Sequence, residues 1–124
     1  TLTNKPLTIY GDGKQVRDVL HVSDLIKAFD AFIDGDLKYG VFNIGGGPEN
    51  TLSLLELLEL LNELTGKRTS IRFSNWRSGD QKVYVSNLSK IKEELNWEPT
   101  ISPREGVKRL VKWAENNLEL LKTI

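Results

Sequence analysis

"VFNIGGGPENTLS", residues 41–53, carries an apolar run into three consecutive glycines and then to a serine that opens a leucine-rich stretch. Strand, glycine turn and helix in that order mark an α/β chain, and they are also how a dinucleotide-binding loop begins. Spacing separates the two readings. A dinucleotide fingerprint places its third glycine three residues after the second, inside the first helical turn, where helix and strand must pack closely. Here Gly45, Gly47 and Asn50 hold those places, and the helix starts only near Ser53. Pro48 and Glu49 put a rigid turn and a negative charge where pyrophosphate needs bare amides. The stretch reads as a wide strand-to-helix turn that uses glycine for its dihedral freedom.

Working outward, "YGVFNIG" (39–45) is a run of strand formers expected to be buried on both faces. "SLLELLELLNELTGK" is a helix, with Ser53 and Glu56 as a capping box and Gly66 as its stop. Its leucines span too few residues for sustained heptads, which makes it a core helix rather than a zipper. Upstream, "LTIY" (7–10) is a strand ended by "GDG". From Ser23, residues Leu25, Ile26, Phe29, Phe32 and Ile33 recur at helical offsets, with Gly35 just beyond.

Downstream, "TSIRFSN" (69–75) and "QKVYVS" (81–86) alternate as the arms of a hairpin around "WRSGD". A helix over 87–97 places Leu88, Ile91 and Leu95 on one face, with Pro99 past its end. The last helix opens with Ser102 as N-cap, Pro103 first and Glu105 third, and buries Val107, Leu110, Val111, Ala114 and Leu121. The order β-α-β-α-β-β-α-α is that of a mixed α/β unit with about four helices. So few strands leave a raw sheet edge, on which another segment packs or through which the chain self-associates.

Composition narrows the function. The 124 residues suit one ordinary domain with a single core. The 17 basic and 17 acidic residues cancel, so no global field favours nucleic acid or an anionic membrane. The absence of cysteine excludes a disulfide framework, thiol catalysis and Cys-ligated zinc, and fits a reducing cytoplasm. The single histidine, His21, leaves no metal site to propose and suits a partly buried residue hydrogen-bonded near a helix start. No signal segment and no apolar run of bilayer-spanning length is present. The opening "TLTNKPLTIYGDG", with no initiating methionine, resembles the middle of a loop, so a processed chain or one cut from something longer is expected.

Tyr10 and Lys14 match the Tyr-x-x-x-Lys spacing of short-chain oxidoreductases. That pairing needs a helix to bring ammonium beside phenol. Between these two lies "GDG", so no catalytic role is assigned to them. Two other stretches carry more chemistry. "YGDGKQVRD" ends a strand in a glycine turn and presents Gln15 and Arg17; "WRSGDQ" sets Arg77 beside Trp76 and before Asp80. Two guanidinium forks suit a diphosphate, and Asp80 suits two ribose hydroxyls. Surface ion pairs are the other reading these residues allow.

These stretches, "YGDGKQVRDVLHVSDLIKAF", "VFNIGGGPENTLSLLELLELL" and "RSGDQKVYVSNLSKIKEELNWEP", followed by a capped final helix, resemble the C-terminal part of the extended short-chain dehydrogenase/reductase nucleotide-sugar epimerases and dehydratases. The wording of the first two is most similar to the family's CDP-sugar 2-epimerases. The resemblance implies the substrate-binding portion of a Rossmann-type enzyme, incomplete as an independent Rossmann fold, with a nucleotide-diphosphate sugar, specifically a CDP-sugar, as partner. It implies Arg17 and Arg77 on the diphosphate, Asp80 on the ribose, and Tyr10 and Gln15 in the segment lining base and phosphates. NAD is the implied cofactor of the whole enzyme, which oxidises a sugar carbon by hydride transfer and then returns the hydride. Its glycine loop and its catalytic tyrosine and lysine belong to an N-terminal region without counterpart in these residues. The chain alone is therefore expected to hold no catalytic or cofactor-binding residue. The competing reading is a free-standing α/β binding module with no enzymatic role.

Overall fold

The computed structural model describes residues 2–3 and 5–122. Its elements in chain order are β1 (Leu7–Tyr10), β2 (Val16–Asp18), α1 (Val22–Ile33), a 3-10 turn (Pro48–Asn50), β3 (Thr51–Ser53), α2 (Leu54–Thr65), β4 (Ile71–Ser74), β5 (Val83–Tyr84), α3 (Ser89–Leu95), α4 (Pro103–Asn116) and α5 (Leu118–Lys122). The single core suggested by the length is realised as two compact units. One comprises Thr1–Gln15, Ser53–Lys82 and Arg104–Ile124, the other Val16–Leu52 and Val83–Pro103. The first and fourth residues of the loop-like opening, and the last two of the final helical stretch, lie outside the described residues.

In the first unit, β1 pairs with β4 in parallel, from Leu7 opposite Ile71 to Tyr10 opposite Ser74. The ladder continues in the bond from Gly11 N–H to the Ser74 carbonyl, 2.9 Å. The capping box at α2 is formed as the sequence indicates. Ser53 Oγ accepts from Glu56 N–H at 3.2 Å, while the Glu56 carboxylate accepts from Ser53 N–H at 2.7 Å. Gly66 ends the helix in the left-handed region. Ile9, Leu58, Leu60 and Val111 are buried, and the Arg104 fork on α4 grips the Glu63 carboxylate on α2.

In the second unit, β5 pairs with β2 in parallel, Val83 opposite Val16 and Tyr84 opposite Arg17, and β3 flanks β2 on its other side. Ala28, Ile91 and Trp97 form the buried cluster, with Leu20, Phe42 and Ile44 packed against it. His21 caps α1 by accepting the Ser23 N–H at its Nδ1, 3.2 Å, the role foreseen for it. At the centre lies the fully buried Asp24 carboxylate. It accepts from Thr100 N–H (2.9 Å), Ile101 N–H (2.8 Å), the Thr100 hydroxyl (2.8 Å) and Lys27 Nζ (3.1 Å). Burial opposes its charge, but these donors outweigh that and hold its pKa down at about 2.

Several expectations are corrected. The strands near 71 and 84 do not form a hairpin: β4 joins β1 and β5 joins β2, in two separate sheets, because each finds a parallel partner far upstream that alternation alone cannot name. Residues 39–45 are in no strand, and Tyr39 and Val41 are exposed. The run finds no partner strand among the described residues, so only Phe42 and Ile44 turn inward. Leu110 and Leu121 are exposed rather than buried. The final helical stretch breaks near Asn117 into α4 and α5 among the described residues: Asn117 Nδ2 donates to the Trp113 carbonyl, competing with the helical ladder. The three-residue strands β2 and β3 are too short to show a period.

Candidate functional site

The turn at the end of β1 is held tightly in place. Tyr10 closes the strand, and Gly11 (φ 91°) and Gly13 (φ 78°) take conformations that side chains disfavour. A Cβ on Gly11 would lie 2.7–2.8 Å from the Trp76 ring, and one on Gly13 would meet Leu55 at 2.8 Å. The Leu55 N–H donates to the Gly13 carbonyl, 3.0 Å, and Asp12 Oδ1 accepts the Lys14 N–H, 2.9 Å. Trp76 and the start of α2 thereby hold the turn from two sides. Lys14 sits on this turn and not on a helix with Tyr10, which removes the oxidoreductase pairing.

Around Tyr10 the first unit collects four of the five singled-out residues. Gln15 Nε2 donates to the Tyr10 carbonyl at 2.8 Å, a contact that sets the amide's orientation. Its Oε1 is buried without a partner, one of two such side-chain atoms among the described residues, the other being Asn62 Oδ1 on α2. The Arg77 guanidinium stacks over the Tyr10 ring, 4.7 Å to its centroid. Asp80 closes the turn through Gly79 (φ 84°): its Oδ2 accepts from Arg77 N–H at 3.0 Å and from Arg77 Nε at 3.3 Å, and its Oδ1 lies 3.3 Å from Nη2. Lys82 Nζ stands 5.7 Å from the Trp76 ring centre, an addition the sequence did not single out. The only hint of it was an aromatic and a cation six residues apart across a turn.

Arg17 belongs to the second unit. It lies half-buried on β2, and its Nη1 donates to the Val16 carbonyl, 2.7 Å. Arg77 thus shows the surface ion pair, while remaining an exposed fork against an aromatic face.

The glycine run shows the opposite character. Gly45, Gly46 and Gly47 are all buried. A Cβ on Gly45 would collide with Asp18 and Ser86, and one on Gly46 with the Val19 carbonyl. Gly47 N–H donates to Asp18 Oδ2, 3.1 Å, which also accepts Ser86 N–H, 3.1 Å. Burial of Asp18 is outweighed by these donors, which lower its pKa. With its closing amide and its open faces already taken by the protein, this turn does not fit a dinucleotide phosphate. No helix among the described residues is long and apolar enough to cross a membrane.

A family profile described as GDP-mannose 4,6 dehydratase matches residues 1–110. The chain belongs to the nucleotide-sugar epimerase/dehydratase family of extended short-chain dehydrogenase/reductases. Within this family it is 41% identical over 120 residues to UDP-glucuronate 4-epimerase of Thermodesulfobacterium geofontis, covering 97% of the chain and 36% of that protein. It is 40% identical over 117 residues to CDP-paratose 2-epimerase of Salmonella typhi, covering 91% and 34%. Among solved structures it is similar to UDP-glucuronic acid 4-epimerase from Bacillus cereus in complex with UDP-glucuronic acid and NAD (TM-score 0.79, 33% identity, 86% of this chain and 34% of that one). The chain spans about a third of the length of the family members it matches.

Proposed function

We propose that this chain is the C-terminal, nucleotide-sugar-binding region of an NAD-dependent nucleotide-sugar epimerase, without catalytic residues of its own. The observation that carries the reading is the pair of contacts on Tyr10: an exposed guanidinium stacked on its ring, and at its carbonyl the Gln15 amide, whose oxygen is buried with no partner. A diphosphate would draw the Arg77 fork off Asp80 and onto phosphate oxygens, because bidentate guanidinium–phosphate pairs are strong and planar. Asp80, released, would accept ribose hydroxyls, and Gln15 Oε1 would take a donor from the nucleoside. Arg17 enters as the second guanidinium on the strength of the resemblance. NAD, which supplies the hydride chemistry, would be held by polypeptide other than these residues, whose glycine turn does not fit it.

The finer reading is a CDP-sugar epimerised at C2, supported by the wording of the two motifs and by the 40% identity to CDP-paratose 2-epimerase. The 41% identity to UDP-glucuronate 4-epimerase supports a UDP-sugar. Titration calorimetry with CDP-glucose and UDP-glucuronate tests both levels. Binding near millimolar, about −4 kcal/mol, is expected for a partial site. The Arg17→Ala/Arg77→Ala double variant should bind neither. Unchanged affinity in that variant removes the assignment, no binding by the unsubstituted chain favours the free-standing module, and tighter UDP-glucuronate binding overturns only the CDP reading.

A further inference from the structure

The backbone ladder between β1 and β4 ends at the bond from Gly11 N–H to the Ser74 carbonyl, 2.9 Å. Beyond it residues 11–15 and 75–82 lie in no strand, so side chains must hold one turn against the other. Consecutive residues do so. Tyr10 carries the Arg77 guanidinium on its ring, and Gly11, the next residue, carries the indole of Trp76. The Trp76 atoms Cδ2, Cε2 and Cζ2, all in the six-membered ring, stand 2.7–2.8 Å from where a Cβ on Gly11 would lie. The ring fills the place of the side chain that Gly11 lacks, and any side chain at position 11 would displace it.

The loop from 76 to 82 is closed within itself. Asp80 N–H donates to the Arg77 carbonyl (3.1 Å), Asp80 Oδ2 accepts the Arg77 N–H (3.0 Å), and Lys82 Nζ returns to 5.7 Å from the Trp76 ring centre. These bonds fix the shape of the loop but not its distance from the Tyr10 turn, which its attachments to Tyr10 and Gly11 set. The two attachments differ in one respect. A phosphate that takes the Arg77 guanidinium loosens its stacking on Tyr10 at the moment a ligand needs the turn in place. The indole on Gly11 uses no charged group and survives that exchange. Trp76 is 38% exposed and stands apart from the buried Ile9, Leu58, Leu60 and Val111 of the same unit, so its place is not that of a core side chain.

We propose that Trp76 is the positioning residue of the nucleotide site: seated on Gly11, it holds Arg77 and Asp80 at a fixed reach from Tyr10 and Gln15, so that a nucleotide-diphosphate sugar need not order the turn as it binds. This rests on the function proposed above. It adds Trp76 and Gly11, which act through Arg77 rather than on the ligand.

The test uses the full 124-residue chain with Trp76→Ala, Trp76→Phe, Arg77→Ala and the Trp76→Ala/Arg77→Ala pair, followed by NMR and by calorimetric titration with UDP-glucuronate and CDP-glucose. Without ligand, the unsubstituted chain should show nuclear Overhauser effects from the Trp76 ring to the Gly11 Hα and from the Tyr10 ring to the Arg77 side chain. Trp76→Ala should lose the Tyr10–Arg77 effects and Trp76→Phe should keep them, with both melting midpoints within about 10 °C of the unsubstituted chain. Binding should weaken about tenfold in Trp76→Ala and about twofold in Trp76→Phe, and the pair should bind no more weakly than Arg77→Ala alone, because both substitutions remove one interaction. Tyr10–Arg77 effects that persist in Trp76→Ala would overturn the proposal, as would a larger fall in midpoint in both Trp76 variants, which would make Trp76 a core residue. Additive losses in the pair would make it a ligand contact in its own right and equally overturn it. Absence of binding by the unsubstituted chain, with the Overhauser effects behaving as expected, would remove the function proposed above and leave the loop anchor standing, so the two failures are told apart.

Discussion

Two carboxylates in this protein sit three residues from a cation, and they do opposite work. Asp24, with Lys27, is fully buried and takes two backbone N–H groups and a hydroxyl as well, drawn from residues 100 and 101. Asp80, with Arg77, lies in a surface turn, where it accepts from the Arg77 amide and pairs with its guanidinium. The difference is in what holds the anion. Around Asp24, fixed donors from distant chain leave no vacancy for a ligand and make the residue a stability element. Around Asp80 the charged partner is a flexible side chain, which a phosphate can draw away at little cost while the Arg77 amide stays in place, since exposed pairs contribute only about 0–1 kcal/mol.

The comparison breaks most visibly at Asp24. Asp24→Ala orphans several buried donors and should cost about 3–5 kcal/mol in urea unfolding; a loss below about 1 kcal/mol would show that the second unit does not depend on it. Gly46→Ala tests the same unit from the glycine turn, where a Cβ meets the Val19 carbonyl. Overpacking of this kind costs about 1–3 kcal/mol, whereas a turn that served only to cradle a ligand would tolerate alanine.

Acid sharpens the contrast without mutation. The Asp24 pKa is depressed from 3.8 to about 2, so its contribution is complete above about pH 4 and is lost as pH falls toward 2. The linkage is worth about 2 kcal/mol and should appear as a falling melting midpoint across that window. Asp24→Asn should flatten the profile; a profile identical to that of the unsubstituted protein would put the acid sensitivity elsewhere.

The smallest stability effect is expected at the proposed site itself. Arg77→Ala should change unfolding by no more than about 0.5 kcal/mol while weakening nucleotide-sugar binding at least tenfold. A large destabilisation with unchanged binding would make Arg77 another Asp24.

These two regions also mark what the sequence makes legible. The capped start of α2 at Ser53, the role of His21 and the rejection of Gly45–Gly47 as a phosphate loop follow from local chemistry, because caps and turns are decided within a few residues. The Asp24 hub is invisible beforehand: its partners lie about 75 residues away, and an acid near a helix start usually reads as a dipole effect. The parallel pairing of β4 and β5 is hidden for the same reason, since alternation names a strand but not its partner. The amphipathic pattern of α1 is legible, yet it cannot tell a face buried in this chain from one left uncovered, and the stripe at Ile26, Phe29 and Ile33 falls on the second kind. Of the site, the residue types and turns are readable. The stacking of Arg77 on Tyr10 and the unpartnered Gln15 Oε1 need the fold.

The most direct test is a two-dimensional amide NMR titration of the intact chain with a nucleotide-diphosphate sugar. Progressive shifts should centre on Tyr10–Arg17 and Trp76–Asp80 and leave Gly45, Gly46 and Gly47 in place. Shifts centred on the three glycines, with the Arg77 turn unmoved, would contradict the account.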